Sequence, residues 1–142
     1  MKKHLQFLLL LLGVSFIALW SCKKDHGAQP KATTFTLEFN TQKAFHFTGF
    51  FTASGGVTTS GNCTMDVTPV GTDSIHCTQT LEVPSEGTIT ILSQCSLPNN
   101  TGAWHVSSGT GIYANLQGEG TLVMSTGATG PIEALHGTTW RQ

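Results

Sequence analysis

Cys63, Cys77 and Cys95, with His46, His76, His105 and His136, are the side chains of the main body of this 142-residue chain whose types suit redox or metal chemistry. Three cysteines leave one over in any disulfide. Two pairings are open. Cys77–Cys95 follows if Val83 pairs with Ile89 in a hairpin, since Leu81 then faces Ile91 and Cys77 faces Cys95. Cys63–Cys77 is the rival. Zinc is a weaker third reading, because no Cys-x-x-Cys or His-x-x-x-His spacing occurs and structural zinc sites use closely spaced ligands. His46, His76 and His105 alternate with apolar residues, which predicts solvent-facing imidazoles, and the face of His136 is left open. Glu38, Asp66, Glu82 and Glu119 also alternate with apolar residues or glycines, so they read as solvated. Glu133 is the exception: the leading expectation is an exposed strand glutamate, but if it shares the face of Leu135 it becomes a buried carboxyl, an acid/base candidate with a shifted pKa. No Ser/His/Asp elbow, nucleotide fingerprint or phosphate-binding loop is present. No metal or cofactor is expected.

The fourth cysteine, Cys22, stands apart because of what precedes it. Lys2 and Lys3 lead into an apolar run from Phe7 that continues past Gly13 to Trp20, the pattern of a secretory signal. The run is shorter than the ~20 apolar residues that span a bilayer as a helix. It ends in Leu19-Trp20-Ser21-Cys22, which resembles a lipobox, although Trp20 departs from the strictest form. With Lys-Lys-Asp following, it looks like the signal of Bacteroidota-type lipoproteins. The expectation is a signal peptide over residues 1–21, lipidation at Cys22, and a membrane partner engaged through the acyl chains. Residues 22–33 are polar with Gly and Pro and read as a tether. Lys23, where lipoproteins of the inner membrane often carry aspartate, points to the outer membrane of a Gram-negative bacterium.

These residues must be positioned by strands. Beyond the signal, helical periodicity is absent and period-two alternation recurs. Phe35, Leu37 and Phe39 form one such set; Phe45, Phe47 and Phe51, Cys63, Met65 and Val67, and Ile75, Cys77, Leu81 and Val83 form others. Turn residues separate the runs at Asn40-Thr41, Ser54-Gly55-Gly56, Gly71-Thr72-Asp73, Ser85-Glu86-Gly87, Pro98-Asn99-Asn100 and Gly127 to Gly130. About eight strands with short connections favour an all-β, eight-stranded antiparallel up-and-down barrel over residues 34–142, since closure at that number removes exposed edges. From Lys31 onward the bases are Lys31, Lys43 and Arg141 against seven acids. No basic patch is available to neutralise phosphates, so nucleic acid is not an expected partner.

The segment Gly102-Ala103-Trp104-His105-Val106-Ser107-Ser108-Gly109-Thr110-Gly111-Ile112-Tyr113-Ala114-Asn115-Leu116-Gln117-Gly118-Glu119-Gly120 resembles a motif of bacterial secreted proteins related to the allene oxide cyclase and dirigent-like barrels. Trp104, Gly109, Thr110, Gly111, Tyr113, Leu116, Gly118 and Gly120 carry the likeness. It implies an eight-stranded barrel with an apolar interior able to hold a small hydrophobic molecule. Gln117 stands where dirigent-like members often have arginine, and no catalytic acid carries over. The leading expectation is therefore a lipid-anchored, non-catalytic barrel that binds a small hydrophobic ligand. An isomerase or cyclase drawing on Glu133, His136 and Tyr113 is the alternative, and a structural or surface-interaction module is the third.

Overall fold

The computed structural model describes residues 28–142; the expected signal peptide and Cys22 lie outside them. Eight strands follow in order: β1 Lys31–Lys43, β2 His46–Gly55, β3 Thr59–Val70, β4 Ser74–Val83, β5 Gly87–Ser96, β6 Thr101–Gly109, β7 Leu116–Thr126 and β8 Pro131–Arg141. Each pairs antiparallel with its sequence neighbours, and β8 closes onto β1, giving an eight-stranded up-and-down barrel. Strand β1 begins at Lys31, so the first barrel residues come from the stretch expected to be tether.

Alternation drives this architecture. Phe35, Leu37 and Phe39 point inward between more exposed neighbours, as do Cys63 and Met65, then Cys77, Gln79, Leu81 and Val83, then Ile89, Ile91, Ser93 and Cys95. One contiguous apolar cluster fills the interior. Burial at ~25 cal/mol per Å² of apolar surface is what holds it together, and closure leaves no sheet edge to pair with another chain. Contacts cross the lumen. Phe35 of β1 packs edge-on against Trp104 of β6, with ring centroids 5.7 Å apart.

Three local expectations are corrected. Val83 pairs with Gly87, not Ile89, so Leu81 faces Ile89, Cys77 faces Ser93 and Cys95 faces Ile75. The loop is Pro84-Ser85-Glu86, and Ser85 takes the left-handed conformation (φ 66°) within it. A two-residue slip keeps every side chain on its face, so the apolar pattern cannot detect it. Phe45, grouped with the inward phenylalanines, is 60% exposed, because the chain turns at Ala44 (φ 54°) before β2 begins. Asn40 and Thr41 lie within β1, at a register irregularity, rather than in a turn.

The motif around Gly109 forms the β6–β7 connection. Ser107 is an extra residue opposite the Thr90–Ile91 step, a β-bulge that bends β6. Beyond it, Gly111–Tyr113 makes one 3-10 turn clamped onto the β4–β5 loop. The Thr110 amide donates to the Thr88 carbonyl, and the Ile112 amide donates to the Glu86 carbonyl, both at 2.9 Å. Gly111 sits at φ 59°, and a Cβ there would run into the Glu86 carbonyl oxygen. Only glycine meets both demands cheaply.

Candidate functional site

The barrel core contains one ionisable carboxyl. Glu133 of β8 shares the inward face of Leu135 and is fully buried. Its Oε2 accepts a hydrogen bond at 2.9 Å from Nε2 of Gln79 on β4, four strands away in either direction. The same Gln79 nitrogen donates to Ser93 Oγ at 2.7 Å. Gln79 Oε1 and Glu133 Oε1 have no protein partner. Burial pushes the Glu133 pKa up to about 7, with the Gln79 hydrogen bond pulling the other way. An amide dipole offsets desolvation only in part, so the neutral acid is favoured well above the usual carboxylate range.

The three cysteines line this same interior as free thiols. The expected Cys77–Cys95 bridge is therefore not formed, because the true register sets the two residues diagonally across β4 and β5 rather than face to face. Burial, reinforced by Glu133, raises both Cys63 and Cys77 to about 12 and also raises Cys95. Such thiols are poor nucleophiles. Among the described residues, no group of three His, Cys, Asp or Glu side chains is placed to hold a metal ion.

The candidates for acid/base chemistry are not brought together. His136 is exposed on the outer face, with its Nδ1 3.2 Å from Thr34 Oγ1. Tyr113 is buried in the β6–β7 connection and donates to Glu86 Oε2 at 2.7 Å. His46, His76 and His105 are solvent-facing as alternation predicts, and His46 pairs with Asp66 at 2.7 Å.

The remaining residues of the motif are placed as parts of the frame. Gly109 packs against the Tyr113 backbone, Leu116 is buried, and Gly118 abuts Thr139 and Val106. Gly120 of β7 pairs with Gly137 of β8 on one side and with Trp104 of β6 on the other. A Cβ on either glycine would strike the neighbouring strand's backbone, so β7 and β8 approach tightly here, as strands do at a barrel corner. Inside that corner, Trp104 donates its indole N–H to the Thr121 carbonyl at 3.0 Å and the His136 carbonyl at 3.3 Å.

On the outer side of the same corner lies a groove of about 950 Å³. Two rows of outward side chains cross it. One runs Thr78, Leu92, His105, Glu119 and Thr138; the other contains His76, Gln94, Ala103 and Thr121. The floor is formed by the inward-facing positions, including Ser93, Gly120 and Gly137. The groove crosses β6 and β7 within their paired stretch, where Ala103 faces Thr121, Trp104 faces Gly120 and His105 faces Glu119. A second cleft of about 140 Å³ sits at one barrel mouth, between Phe39, Phe47 and Pro131.

Sequence reasoning missed the groove. Its Thr and His residues read as ordinary solvated positions, and the only signal was the glycine pair that creates the corner. No protein family, curated protein or solved structure matches this chain.

Proposed function

We propose that this protein is a lipid-anchored, extracytoplasmic binding module without catalytic activity, and that its ligand sits in the groove on the outer face of β4–β8 rather than inside the barrel. The observation that carries the reading is the Gln79–Glu133 contact. Side chains from opposite walls meet at 2.9 Å, so the lumen has no room for a drug-sized molecule at that level, whereas the external groove falls in the usual size range for a small-molecule site. This moves the ligand of the sequence-based expectation from lumen to surface. The cyclase alternative loses support because Glu133, His136 and Tyr113 lie apart. The closed eight-stranded meander agrees with what the allene oxide cyclase and dirigent-like resemblance implies, and membership of that superfamily is part of this proposal.

Anchoring rests on the Leu19-Trp20-Ser21-Cys22 box and is tested by Cys22→Ser. The variant should leave the membrane fraction; continued partition into detergent like the native chain contradicts lipidation. Binding is tested by native mass spectrometry of protein purified from its host. The reading expects a small-molecule adduct that Ala103→Trp removes by filling the groove. An adduct that survives Ala103→Trp, or no adduct at all, overturns it.

A further inference from the structure

The lining chemistry of the groove narrows its ligand, on the reading that the groove is the binding site. Glu119 is the one carboxylate in the lining, and neither Lys nor Arg contributes to it. The basic side chains of the barrel lie elsewhere: Lys31 opposite Thr139 at the start of β1, Lys43 at its end, and Arg141 bonded to the Ile112 carbonyl. A carboxylate, sulfate or phosphate group entering the groove would lose water and face the Glu119 carboxylate, with the imidazoles of His76 and His105 beside it and no permanently charged Lys or Arg to compensate. Sugar-like ligands lack their usual platform as well, because Trp104, the one Trp, Tyr or Phe of the lining, is buried beneath the corner.

What remains is complementary to a different class. Leu92 and Ala103, diagonal neighbours on β5 and β6, supply the apolar surface. Glu119 lies directly across from His105 on the neighbouring strand, with Thr121 two residues further along the same outer face. We propose that the groove binds a protonated alkylamine, with its hydrocarbon chain over Leu92 and Ala103 and its ammonium at the Glu119 carboxylate. The ammonium donates to Glu119 and to the neighbouring hydroxyl oxygen of Thr121. An amphiphile of this charge is held by both halves of the site, and its anionic counterpart is refused by one of them.

Calorimetric titration of the full chain carrying Cys22→Ser, which has no acyl chains to compete, tests this with three probes of equal length: octylammonium, 1-octanol and octanoate. Octylammonium is expected to bind up to about fivefold more tightly than octanol, the most that one exposed ion pair supplies, and octanoate more weakly than either. Glu119→Gln should erase the advantage of octylammonium and leave octanol unchanged. If octanol or octanoate matches octylammonium, or Glu119→Gln has no effect, the amine assignment fails, while loss of octanol binding in Ala103→Trp would keep the groove itself. If no probe binds, or binding is indifferent to Ala103→Trp, both fail.

Discussion

Gln79 and Glu133 join opposite walls of the barrel through a single hydrogen bond of 2.9 Å between Nε2 and Oε2. The contact places an ionisable group in the middle of an apolar cluster, and much of the behaviour of the protein follows from it.

The first consequence is a pH dependence of stability. Burial raises the Glu133 pKa from the ordinary carboxyl value of about 4.5 to about 7 in the folded chain. A raised carboxyl pKa means that the folded state binds more protons than the unfolded state between those values. Stability therefore falls as pH rises from about 4.5 through 7 and is level above that. The full effect is on the order of 3 kcal/mol, at about 1.4 kcal/mol per pH unit. Urea melts of the native chain and Glu133→Gln at pH 4.5, 6 and 8 measure it. The variant should gain relative to the native chain as pH rises; a constant difference would show that Glu133 does not titrate in this window.

A second prediction concerns the pair as a unit. Gln79→Leu alone strips the buried carboxyl of its donor and should cost about 2–3 kcal/mol at pH 8, the penalty of an unpaired buried polar group. Gln79→Leu with Glu133→Leu removes both polar groups at nearly constant volume and should cost much less than the two single changes added together. Additive losses would mean that the hydrogen bond carries no coupling energy.

The thiols offer a third. At pH 8 a thiol with a pKa of about 12, as for Cys63 and Cys77, is ionised in roughly one molecule in ten thousand. In the Cys22→Ser chain, Cys63, Cys77 and Cys95 should resist an aromatic disulfide reagent while folded. All three should react once the chain is denatured. Recovery of one thiol instead of three would reveal a bridge and contradict the assignment of Cys63, Cys77 and Cys95 as free thiols.

Backbone strain separates two glycines with the same handedness. Gly111 (φ 59°) and Gly71 (φ 66°) both occupy the left-handed region, but only at Gly111 would a Cβ meet a neighbour, the Glu86 carbonyl oxygen. Alanine at either position carries the conformational cost of about 1 kcal/mol. Gly111→Ala should exceed Gly71→Ala because it also pushes the β6–β7 connection off the β4–β5 loop. Equal melting shifts would remove the steric role assigned to the motif.

The sequence made the strand number, the meander and the inward faces legible, because period-two alternation and turn residues are local signals. Glu133 was only half readable: its parity with Leu135 marked it as a candidate, but exposure was the leading expectation, because a lone carboxyl is costly to bury and its partner Gln79 lies four strands away. Register was not legible. Moving Val83 from Ile89 to Gly87 preserves both faces, and loop geometry around Ser85, invisible in the apolar pattern, decided it. Phe45 misled for a related reason, since alternation extrapolates through a turn that it cannot see. The groove was the least legible feature, because it depends on Gly120 meeting Gly137 and Trp104 from three different strands, a relation that only the closed barrel creates.

The measurement that bears most directly on the external binding site is chemical-shift mapping of the 15N-labelled Cys22→Ser chain during titration with octylammonium. Binding on the outer face predicts the largest amide shifts at Leu92, Ala103, His105, Glu119 and Thr121, with the Glu133 and Leu37 amides little changed. Shifts concentrated instead at Glu133, Leu37 and Gln79, or at Phe39 and Phe47 of the barrel mouth, would place the ligand inside and contradict the account.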